Sequence, residues 1–397
     1  MTATALLDVE TARARVLAAV ALLPAQTVPL SAALGRVLVA DVRAGGDVPP
    51  FTNSAMDGFA IQAAPAGRRL RVAGESRAGT PSPVAVTGDT AVRISTGAML
   101  PEGADAVIMV ERTDEHEDGT VTLEADVAPG QNVRGAGEDM RAGTVVLRAG
   151  TTIDAAAVGI AAGAHAGALA CARRPRVAVL STGDELVPPG SALGPGQIHN
   201  SNALTLVALA TEAGGEALLP VHVPDSAAAT RAAIAAALEH ADVLVLSGGV
   251  SVGPHDHVKG ALEACGVDED FWRVALRPGK PTWFGTRGEQ LVFGLPGNPV
   301  SAMVTFLLFV RPALRALQGA DPAARRVQAP LAEAVPRNEG RDELVRIHFD
   351  DAGHAALTGP QGSHVLTSMR GADGLARIPA GPGELAAGTP VEIELLR

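Results

Sequence analysis

The sequence predicts a multidomain protein that combines an α/β domain built on a parallel-rich sheet with separate β-rich regions. The chain has 397 residues, two to four times the ~100–150 residues of a typical domain, and 47% of them are hydrophobic. From about residue 37 to residue 150, short alternating runs broken by Gly and Pro are typical of antiparallel β structure. From residue 175, Val- and Leu-rich runs alternate with helical patterns, which favours a parallel sheet covered on both faces, in three layers.

The elements can be assigned in order along the chain. A first helix is predicted from Leu6 to Leu23, where Pro24 ends it. The strands of the following β-rich region are GFAI, RLRVAGE, DTAVRIST, ADAVIMVE and TVTLEADV, and the helix IDAAAVGIAAGAHAG comes next. The α/β region has the strands RVAVLST, ALLPVHV, DVLVLSGG and LVFGL, a helix from near Asn202, and the helices DSAAATRAAIAAALEHA and VSAMVTFLLFVRPALRAL. After Gly319, the linker-like ADPAARR leads into a second β-rich run.

These elements divide the chain into four expected domains, the first interrupted by the second. They are a helical and linker domain (1–45 with 136–173), a β-rich inserted domain (46–135), the α/β domain (174–319) and a C-terminal β domain (320–397).

Composition narrows the range of partners. The chain has 32 Lys and Arg against 43 Asp and Glu, a formal net charge of −11, and no run of basic residues, so nucleic acid is a poor partner. The two cysteines fit neither a disulfide framework nor a zinc pattern. The N-terminus lacks the pattern of a signal peptide, and the Ala/Gly-rich stretch 155–171 is too weakly apolar to span a bilayer. We expect a cytoplasmic protein that has no membrane partner.

Three segments of the α/β region share one design, an apolar strand followed by Gly and small polar residues: 177–186, 242–253 and 291–302. Ligands of such sheets bind beyond the carboxyl ends of the strands, where glycines let backbone N–H groups approach an oxyanion. One such loop alone is an ordinary turn, but three together indicate a phosphate-bearing ligand. The candidate anion-binding residues of the last two loops are Ser247, Gly248, Gly249, Ser251, Pro296, Gly297, Asn298 and Pro299.

Acidic residues follow the predicted strands of the same region. Carboxylates beside a phosphate would repel it unless a hard cation lies between them, and Mg²⁺ has this role in many proteins. Asp225 could instead cap a helix, and the acidic pair after STG could be solvated loop residues. Arg277 and Lys280, in LRPGKP, are either solvated or ordered anion contacts. The acids in question are Asp184, Glu185, Asp225 and Asp256.

The first β-rich region has polar clusters of its own. Asp57 precedes a Gly in PPFTNSAMDGFA, and Thr96 lies in a second STG turn. Arg134 and Asp139 belong to QNVRGAGED. Taken alone, Asp57 is as easily explained as a turn former.

Taken together, these segments resemble the MoeA family, which includes the C-terminal domain of gephyrin. The matching blocks are PPFTNSAMDGFA, ISTGAMLPEGADAVIMVE, GED, VAVLSTGDEL, IHNSN, ADVLVLSGGVSVG, RVALRPGKP, FGLPGNPVSA and the tail QGSHVLTSMRGADGLARIPAG. They keep the family order and cover nearly the whole chain.

The resemblance implies a transferase, a molybdopterin molybdenumtransferase that inserts molybdate into adenylylated molybdopterin and releases molybdenum cofactor and AMP with the help of Mg²⁺. It also implies a MogA-like α/β domain, a C-terminal β-barrel-like domain and an L-shaped homodimer. The cleft would then lie between the α/β domain of one subunit and the β-rich domain of its partner. A MogA-type adenylyltransferase and molybdoenzymes are candidate partners.

The resemblance also assigns roles to single residues. Glu185, Asp225 and Asp256 would hold Mg²⁺, and Arg277, Lys280 and the glycine loops would hold molybdate or phosphate. Pro254 stands where the family has an acid, and Arg134 is the one arginine left in RGAGED. The residues carried over as catalytic are Asp57, Asp139 and Asp256, with Thr96 and Arg134 as substrate contacts.

Three alternatives stay open at this point. A MogA-type adenylyltransferase shares the α/β domain but lacks the β-rich half and the final β domain. A non-catalytic scaffold of the gephyrin type could keep the fold without the activity. A tungsten-loading paralogue would differ in an oxyanion of similar size and equal charge, which no residue in the sequence distinguishes.

Overall fold

The computed structural model describes residues 6–249 and 257–396. Ser251 and Asp256, both predicted site residues, lie outside this part of the chain, as does Pro254. The described residues form two compact units. Unit 1 takes in the ranges 1–26, 35–39 and 171–397, and unit 2 takes in 27–34 and 40–170. The finer division into four domains stays a prediction.

The first 172 residues contain two α-helices and twelve strands within the described range. The helices are α1 (Val9–Ala18) and α2 (Ala155–Gly163). The strands are β1 (Ala25–Pro29), β2 (Val42–Arg43), β3 (Asn53–Ser54), β4 (Gly58–Ile61), β5 (Arg69–Ser76), β6 (Thr90–Ile94), β7 (Ala106–Met109), β8 (Thr113–Glu115), β9 (Thr120–Leu123), β10 (Val133–Arg134), β11 (Val145–Leu147) and β12 (Ala168–Ala172).

Unit 2 is organised by a six-stranded sheet in the order β7-β4-β6-β5-β9-β8. All of its pairs are antiparallel, as predicted, except β5 with β6, which run parallel. Phe59, Ile61 and Ile108 are buried together in one of its cores. The short strands β3 and β10 pair beside this sheet and bring Asn53 opposite Arg134.

The rest of the described chain contains five α-helices and seventeen strands. The helices are α3 (Ser201–Glu212), α4 (Ala227–Leu238), α5 (Val258–Ala264), α6 (Pro299–Thr305) and α7 (Arg311–Leu317). The strands are β13 (Arg176–Thr182), β14 (Leu186–Val187), β15 (Ile198–His199), β16 (Glu216–Ala217), β17 (Val221–Val223), β18 (Val243–Ser247), β19 (Asp268–Trp272), β20 (Leu276–Arg277), β21 (Trp283–Arg287), β22 (Gln290–Leu295), β23 (Arg326–Pro330), β24 (Val335–Pro336), β25 (Asp342–Phe349), β26 (Ala355–Leu357), β27 (Gly374–Ile378), β28 (Glu384–Leu385) and β29 (Pro390–Leu395).

Unit 1 contains the predicted α/β sheet, with seven strands in the order β16-β13-β18-β22-β21-β19 and β17 beside β13. The strands β13, β18 and β22 run parallel, so the three predicted loops leave the same edge of the sheet. The single strand predicted at ALLPVHV is instead two short strands, β16 and β17. Pro220 lies between them and has no N–H to continue a ladder.

The first helix is shorter than predicted. It begins after Asp8, whose carboxylate accepts a hydrogen bond from the Thr11 N–H at 2.8 Å, and it ends at Ala18. The Leu23 N–H then donates to the carbonyl of Leu317 at 2.9 Å, so this segment packs against another part of unit 1 instead of continuing as a helix.

The predicted long helix is present and continuous from Pro299 to Leu317, with a π-helical turn at Phe306–Val310 that joins α6 to α7. Among the described residues it alone is long and apolar enough to cross a bilayer, but 78% of it is buried, as in the core helix of a folded domain. Phe306 and Phe309 are fully buried in the largest core of unit 1.

The predicted C-terminal β structure is a six-stranded sheet in the order β20-β25-β27-β29-β23, with β26 beside β25. Strand β20 comes from LRPGKP and pairs in parallel with β25, which places Arg277 opposite Glu343. The C-terminal region is therefore joined to the α/β region at a predicted site motif.

Two ion-pair clusters hold unit 1 together. The carboxylate of Glu394, almost fully buried, accepts from Arg13 at 2.8 Å and from Arg311 at 3.2 Å. Arg173 donates to both carboxylate oxygens of Asp242, at 2.8 and 2.9 Å. Burial alone would raise the pKa of Asp242, but Arg173 and the backbone N–H of Arg176 hold this pKa below its usual value.

Candidate functional site

A cavity of about 810 Å³ opens at the carboxyl edge of the parallel sheet in unit 1. The loops that follow β13, β18 and β22 form its floor, as expected for a doubly wound sheet. The predicted site residues that line it are Glu185, Asp225, Ser247, Gly248, Gly249, Pro296, Gly297, Asn298 and Pro299.

The two glycines that follow β18 are required by the geometry of this floor. Gly248 and Gly249 have φ of +88° and +66°, a region that favours glycine. A Cβ on Gly249 would lie 2.5 Å from Val258 Cγ2 and 2.8 Å from Thr182 Oγ1. A Cβ on Gly297 would lie 3.8 Å from the Cα of Gly248, so the two loops pass within van der Waals reach of each other. Their backbones can thus approach one ligand together.

Two asparagines of the IHNSN block connect these loops. Asn202 Nδ2 donates to Ser247 Oγ at 2.9 Å and to the carbonyl of Gly297 at 2.7 Å. Asn200 caps α3 through the Ala203 N–H and donates to Ser181 Oγ at 2.6 Å. This block contributes to the family resemblance, but neither asparagine was among the predicted site residues. An Asn before a helix could have predicted the cap, whereas the contacts with distant loops had no local signal.

The acidic residues at this edge are arranged in a reciprocal contact. The Asp225 N–H donates to Asp184 Oδ1 at 3.0 Å, and the Asp184 N–H approaches Asp225 Oδ2 at 3.4 Å. His222 Nε2 lies 2.8 Å from the carbonyl of Gly183 and fixes the same loop. The interpretation of Asp225 as a helix cap is wrong, because Ser226 holds the cap position of α4 and the Asp225 carboxylate faces Asp184.

The donor set fits a magnesium ion in part. Glu185 and Asp225 are exposed carboxylates on the wall of one cavity, and Mg²⁺ is commonly held by one or two carboxylates together with water and substrate phosphate. Within residues 6–249 and 257–396, no three metal-binding side chains come together. The third predicted ligand, Asp256, is outside those ranges.

A second cavity, of about 250 Å³, adjoins the first and shares Pro281, Pro296 and Asn298 with it. Arg277 and Lys280 line this smaller cavity, so the structure brings the two predicted cations together. A third cation, Arg341, lines it as well, together with Ser301 and Ser363. The predictions did not include Arg341 or the serines.

The C-terminal region holds one wall of both cavities through a buried arginine. Arg346 is fully buried, and it donates to Ser368 Oγ at 3.1 Å and to the carbonyl of Gly362 at 3.2 Å. Burial lowers the pKa of its guanidinium. The loop it fixes carries Ser363, which accepts a bond from Asn298 Nδ2 at 3.1 Å, and His364, which lines the larger cavity.

The remaining predicted residues lie in unit 2. Asp57 Oδ1 accepts from the Thr96 N–H at 2.6 Å and from the Thr96 hydroxyl at 3.1 Å, so these two residues are in direct contact. Arg134 and Asp139 are exposed at the surface of the same unit. The Asp139 N–H is bonded to the carbonyl of Val48, which ties its loop to the Pro-rich segment before Asp57.

The fold and the cavities of unit 1 define a class, the α/β proteins that bind an anionic ligand at the carboxyl edge of a parallel sheet. Comparison with known families is more specific. Residues 7–164 match the MoeA N-terminal region (domains I and II), residues 178–316 match a probable molybdopterin binding domain, and residues 328–396 match the MoeA C-terminal region (domain IV).

Whole-chain relatives agree with these matches. The chain is 37% identical to a molybdopterin molybdenumtransferase of Haemophilus influenzae over 381 residues, 94% of each protein. It is 38% identical to molybdopterin molybdenumtransferase 2 of Mycobacterium tuberculosis, over 92% of this chain and 94% of that one. A solved MoeA protein of Pyrococcus horikoshii superposes with a TM-score of 0.83 at 31% identity, over 99% of this chain and all of that one. The chain belongs to the MoeA family of molybdopterin molybdenumtransferases.

Proposed function

We propose that this protein inserts molybdenum from molybdate into adenylylated molybdopterin, with release of AMP and with Mg²⁺ as the required ion. The observation that carries the proposal is a pair of adjoining cavities of opposite character at one sheet edge. The larger is lined by carboxylates and glycine loops, and the smaller by three cations. Family membership supports the reaction class.

The larger cavity suits the phosphoanhydride of the substrate. In the part of the chain that the structure describes, neither Lys nor Arg lines it, while Glu185 and Asp225 add negative charge. A phosphate would be repelled there unless a divalent cation came between, and the backbone of the glycine loops offers further N–H groups. When bound, Mg²⁺ would neutralise the anhydride oxygens and the departing AMP. Glu185 and Asp225 would hold it, with Asp256 as the third acid that the resemblance assigns.

The smaller cavity suits a free oxyanion such as molybdate. Arg277, Lys280 and Arg341 supply positive charge, and the hydroxyls of Ser301 and Ser363 supply further donors. The wall shared with the larger cavity would keep two anionic reactants side by side, so that positioning and fixed charge supply the catalysis. Asp57 and Asp139 would orient the pterin end of the substrate or the reacting oxygen.

The test is incubation of the protein with adenylylated molybdopterin, Mg²⁺ and either molybdate or tungstate, with AMP release and activation of an apo-molybdoenzyme as the measurements. We expect both signals with molybdate and neither without Mg²⁺. Absence of both under all conditions would support the scaffold alternative, and activity with tungstate alone would support the tungsten-loading one.

We further propose that the protein acts as a homodimer in the cytoplasm and takes its substrate from a MogA-type adenylyltransferase. The acidic net charge, with no run of basic residues, supports a soluble enzyme without nucleic-acid partners. In a mixture of Asp57→Ala and Glu185→Ala chains, shared clefts would restore part of the lost AMP release. Verified heterodimers that remain inactive would contradict shared clefts.

A further inference from the structure

We propose that Arg273 is a positioning residue for the oxyanion, because it sets the direction of the loop that carries Arg277 and Lys280. Arg273 itself lines neither cavity. Its φ is +76°, a left-handed conformation that costs free energy for a residue with a Cβ. Among the described residues of unit 1 other than glycine, Arg273 alone has this conformation. A strained backbone of this kind persists only where the surrounding contacts hold it.

Hydrogen bonds close the loop directly after Arg273. The Arg273 N–H donates to the carbonyl of Thr282 at 2.9 Å, and the Val274 N–H donates to the carbonyl of Lys280 at 3.0 Å. The buried Thr282 hydroxyl donates to the carbonyl of Gly279 at 2.7 Å. Arg273 and Thr282 are therefore the two ends of a closed loop, and both predicted cations lie between them. A change in the backbone angles of Arg273 would turn this loop as a whole.

A stack of two cations on one aromatic ring holds the Arg273 side chain. The guanidinium carbon of Arg273 lies 3.8 Å from the centre of the Trp272 ring, and Lys259 Nζ lies 2.8 Å from the same centre. Cations are attracted to the face of an indole ring, so the stack offsets the cost of the strained backbone. Lys259 belongs to α5, whose first residue, Val258, lies against Gly249. The stack thus connects the glycine loop of the larger cavity with the cationic loop of the smaller one.

The charge of the loop explains why its direction must be fixed. Arg277 and Lys280 repel each other and Arg341, which lines the same cavity, so a free loop would move them apart before an oxyanion arrived. Holding the cations in place beforehand lowers the free-energy cost of binding. The inference rests on the proposed function, since it takes the smaller cavity as the oxyanion site, and it adds to that site a residue that touches no ligand.

The test is calorimetric titration of the full-length protein with molybdate, and separately with AMP and Mg²⁺ as a probe of the larger cavity. Arg273→Ala removes the stacking and keeps the strained backbone, whereas Arg273→Gly removes both. Arg273→Lys keeps a cation beside the ring. Arg287→Ala is the matched control, because Arg287 is exposed at the end of β21 and lines neither cavity.

We expect Arg273→Ala and Arg273→Gly to weaken molybdate binding about fivefold, which corresponds to roughly 1 kcal/mol of lost stacking. Arg273→Lys should stay within about twofold of the wild type. AMP binding should be unchanged in all variants, since neither Arg277 nor Lys280 lines the larger cavity. Arg273→Gly should unfold at a higher temperature than Arg273→Ala, because glycine adopts a positive φ without strain. Stability and molybdate affinity would then separate.

Other outcomes would overturn the inference in distinct ways. If Arg273→Gly recovered the wild-type affinity for molybdate together with stability, Arg273 would act on the fold alone. Wild-type affinity in both the Ala and the Gly variant would refute the positioning role and leave the oxyanion site and the proposed function in place. An equal loss in Arg287→Ala would refute it as a general effect of lost positive charge. If the wild type bound no molybdate, the oxyanion site would be refuted, and the proposed function with it.

Discussion

Arg341 offers a direct test of the smaller cavity, because it was absent from the predicted site and the structure places it beside two predicted cations. Arg341→Met keeps much of the length and apolar character of the side chain and removes its charge. The present contact of the guanidinium, with the carbonyl of Leu276 at 3.4 Å, is long, so the loss of this bond should cost less than about 1 kcal/mol of stability.

The loss of molybdate binding in Arg341→Met should be larger than the loss of stability. A hydrogen bond to a charged group contributes about 1.5–3 kcal/mol. Because the cavity opens to solvent and keeps two other cations, the lower part of that range applies, about 1.5–2 kcal/mol. This corresponds to an increase of roughly 10- to 30-fold in the half-saturating molybdate concentration. The maximal rate of AMP release should change little, since the cation acts on binding of the oxyanion.

The assay is AMP release as a function of molybdate concentration, and Arg337→Met is the matched control. Arg337 lies in the same region, and its guanidinium donates to the carbonyls of Pro379 and Ala380 at 3.1 and 2.6 Å, away from both cavities. The reasoning is refuted if the half-saturating molybdate concentration of Arg341→Met stays within twofold of the wild-type value while that of Lys280→Met is raised. An equal increase in the Arg337 control would indicate general loss of structure instead.

Three further predictions concern the frame of unit 1. Glu394→Gln should lower the free energy of unfolding by about 3 kcal/mol, because two arginines lose their nearly buried carboxylate partner. Urea unfolding measures this change. A loss below about 1 kcal/mol would contradict the argument from burial. The lowered pKa of Asp242 stabilises the fold above the unfolded pKa, near 3.9, and this stability is lost as pH falls through the folded pKa. Asp242→Asn should therefore be less stable than the wild type at pH 7, and its free energy of unfolding should fall less on acidification. Equal slopes of the free energy of unfolding against pH in the two proteins would refute this. Gly249→Ala should weaken phosphate binding strongly and Gly297→Ala much less, because of these two positions only Gly297 has room for a Cβ. Calorimetric titration with phosphate measures both variants. Equal effects would show that the close contacts at Gly249 do not control the conformation of its loop.

The sheet and its ligand edge could be predicted from sequence because their signals are local. Apolar runs followed by glycine mark the ends of β13, β18 and β22, and the parallel pairing then places those ends along one edge. Glu185 and Asp225 were expected to follow strands of this sheet, and both line the cavity at its edge. The predicted extent of α1 was wrong because the apolar pattern continues past Ala18, whereas the Leu23 N–H donates to the carbonyl of Leu317 and not to a helical partner.

The cationic cavity could be predicted only in part. Arg277 and Lys280 are neighbours in sequence, but Arg341 reaches them through the pairing of β20 with β25, a contact between two-residue and eight-residue strands far apart in the chain. A strand as short as β20 has no periodicity to detect. Ser363 could not be predicted for a similar reason. The buried Arg346 holds the loop that carries Ser363, and no sequence pattern near residue 363 indicates this contact.

One short segment, the loop LPGNP (295–299), forms part of the wall of both cavities. Gly297 accepts a bond from Asn202 and lies against Gly248, so one side of the loop belongs to the phosphate cavity. Asn298 binds Ser363, so the other side belongs to the cationic cavity. Proline fixes φ at both ends of this segment, and Pro299 also starts α6, where its missing N–H has no cost. A rigid wall between two anion sites keeps the distance between the reactants constant, and a flexible one would let their repulsion move them apart. In the proposed reaction the two prolines would therefore act by setting the shape of this loop, since neither can donate a hydrogen bond from its backbone nitrogen.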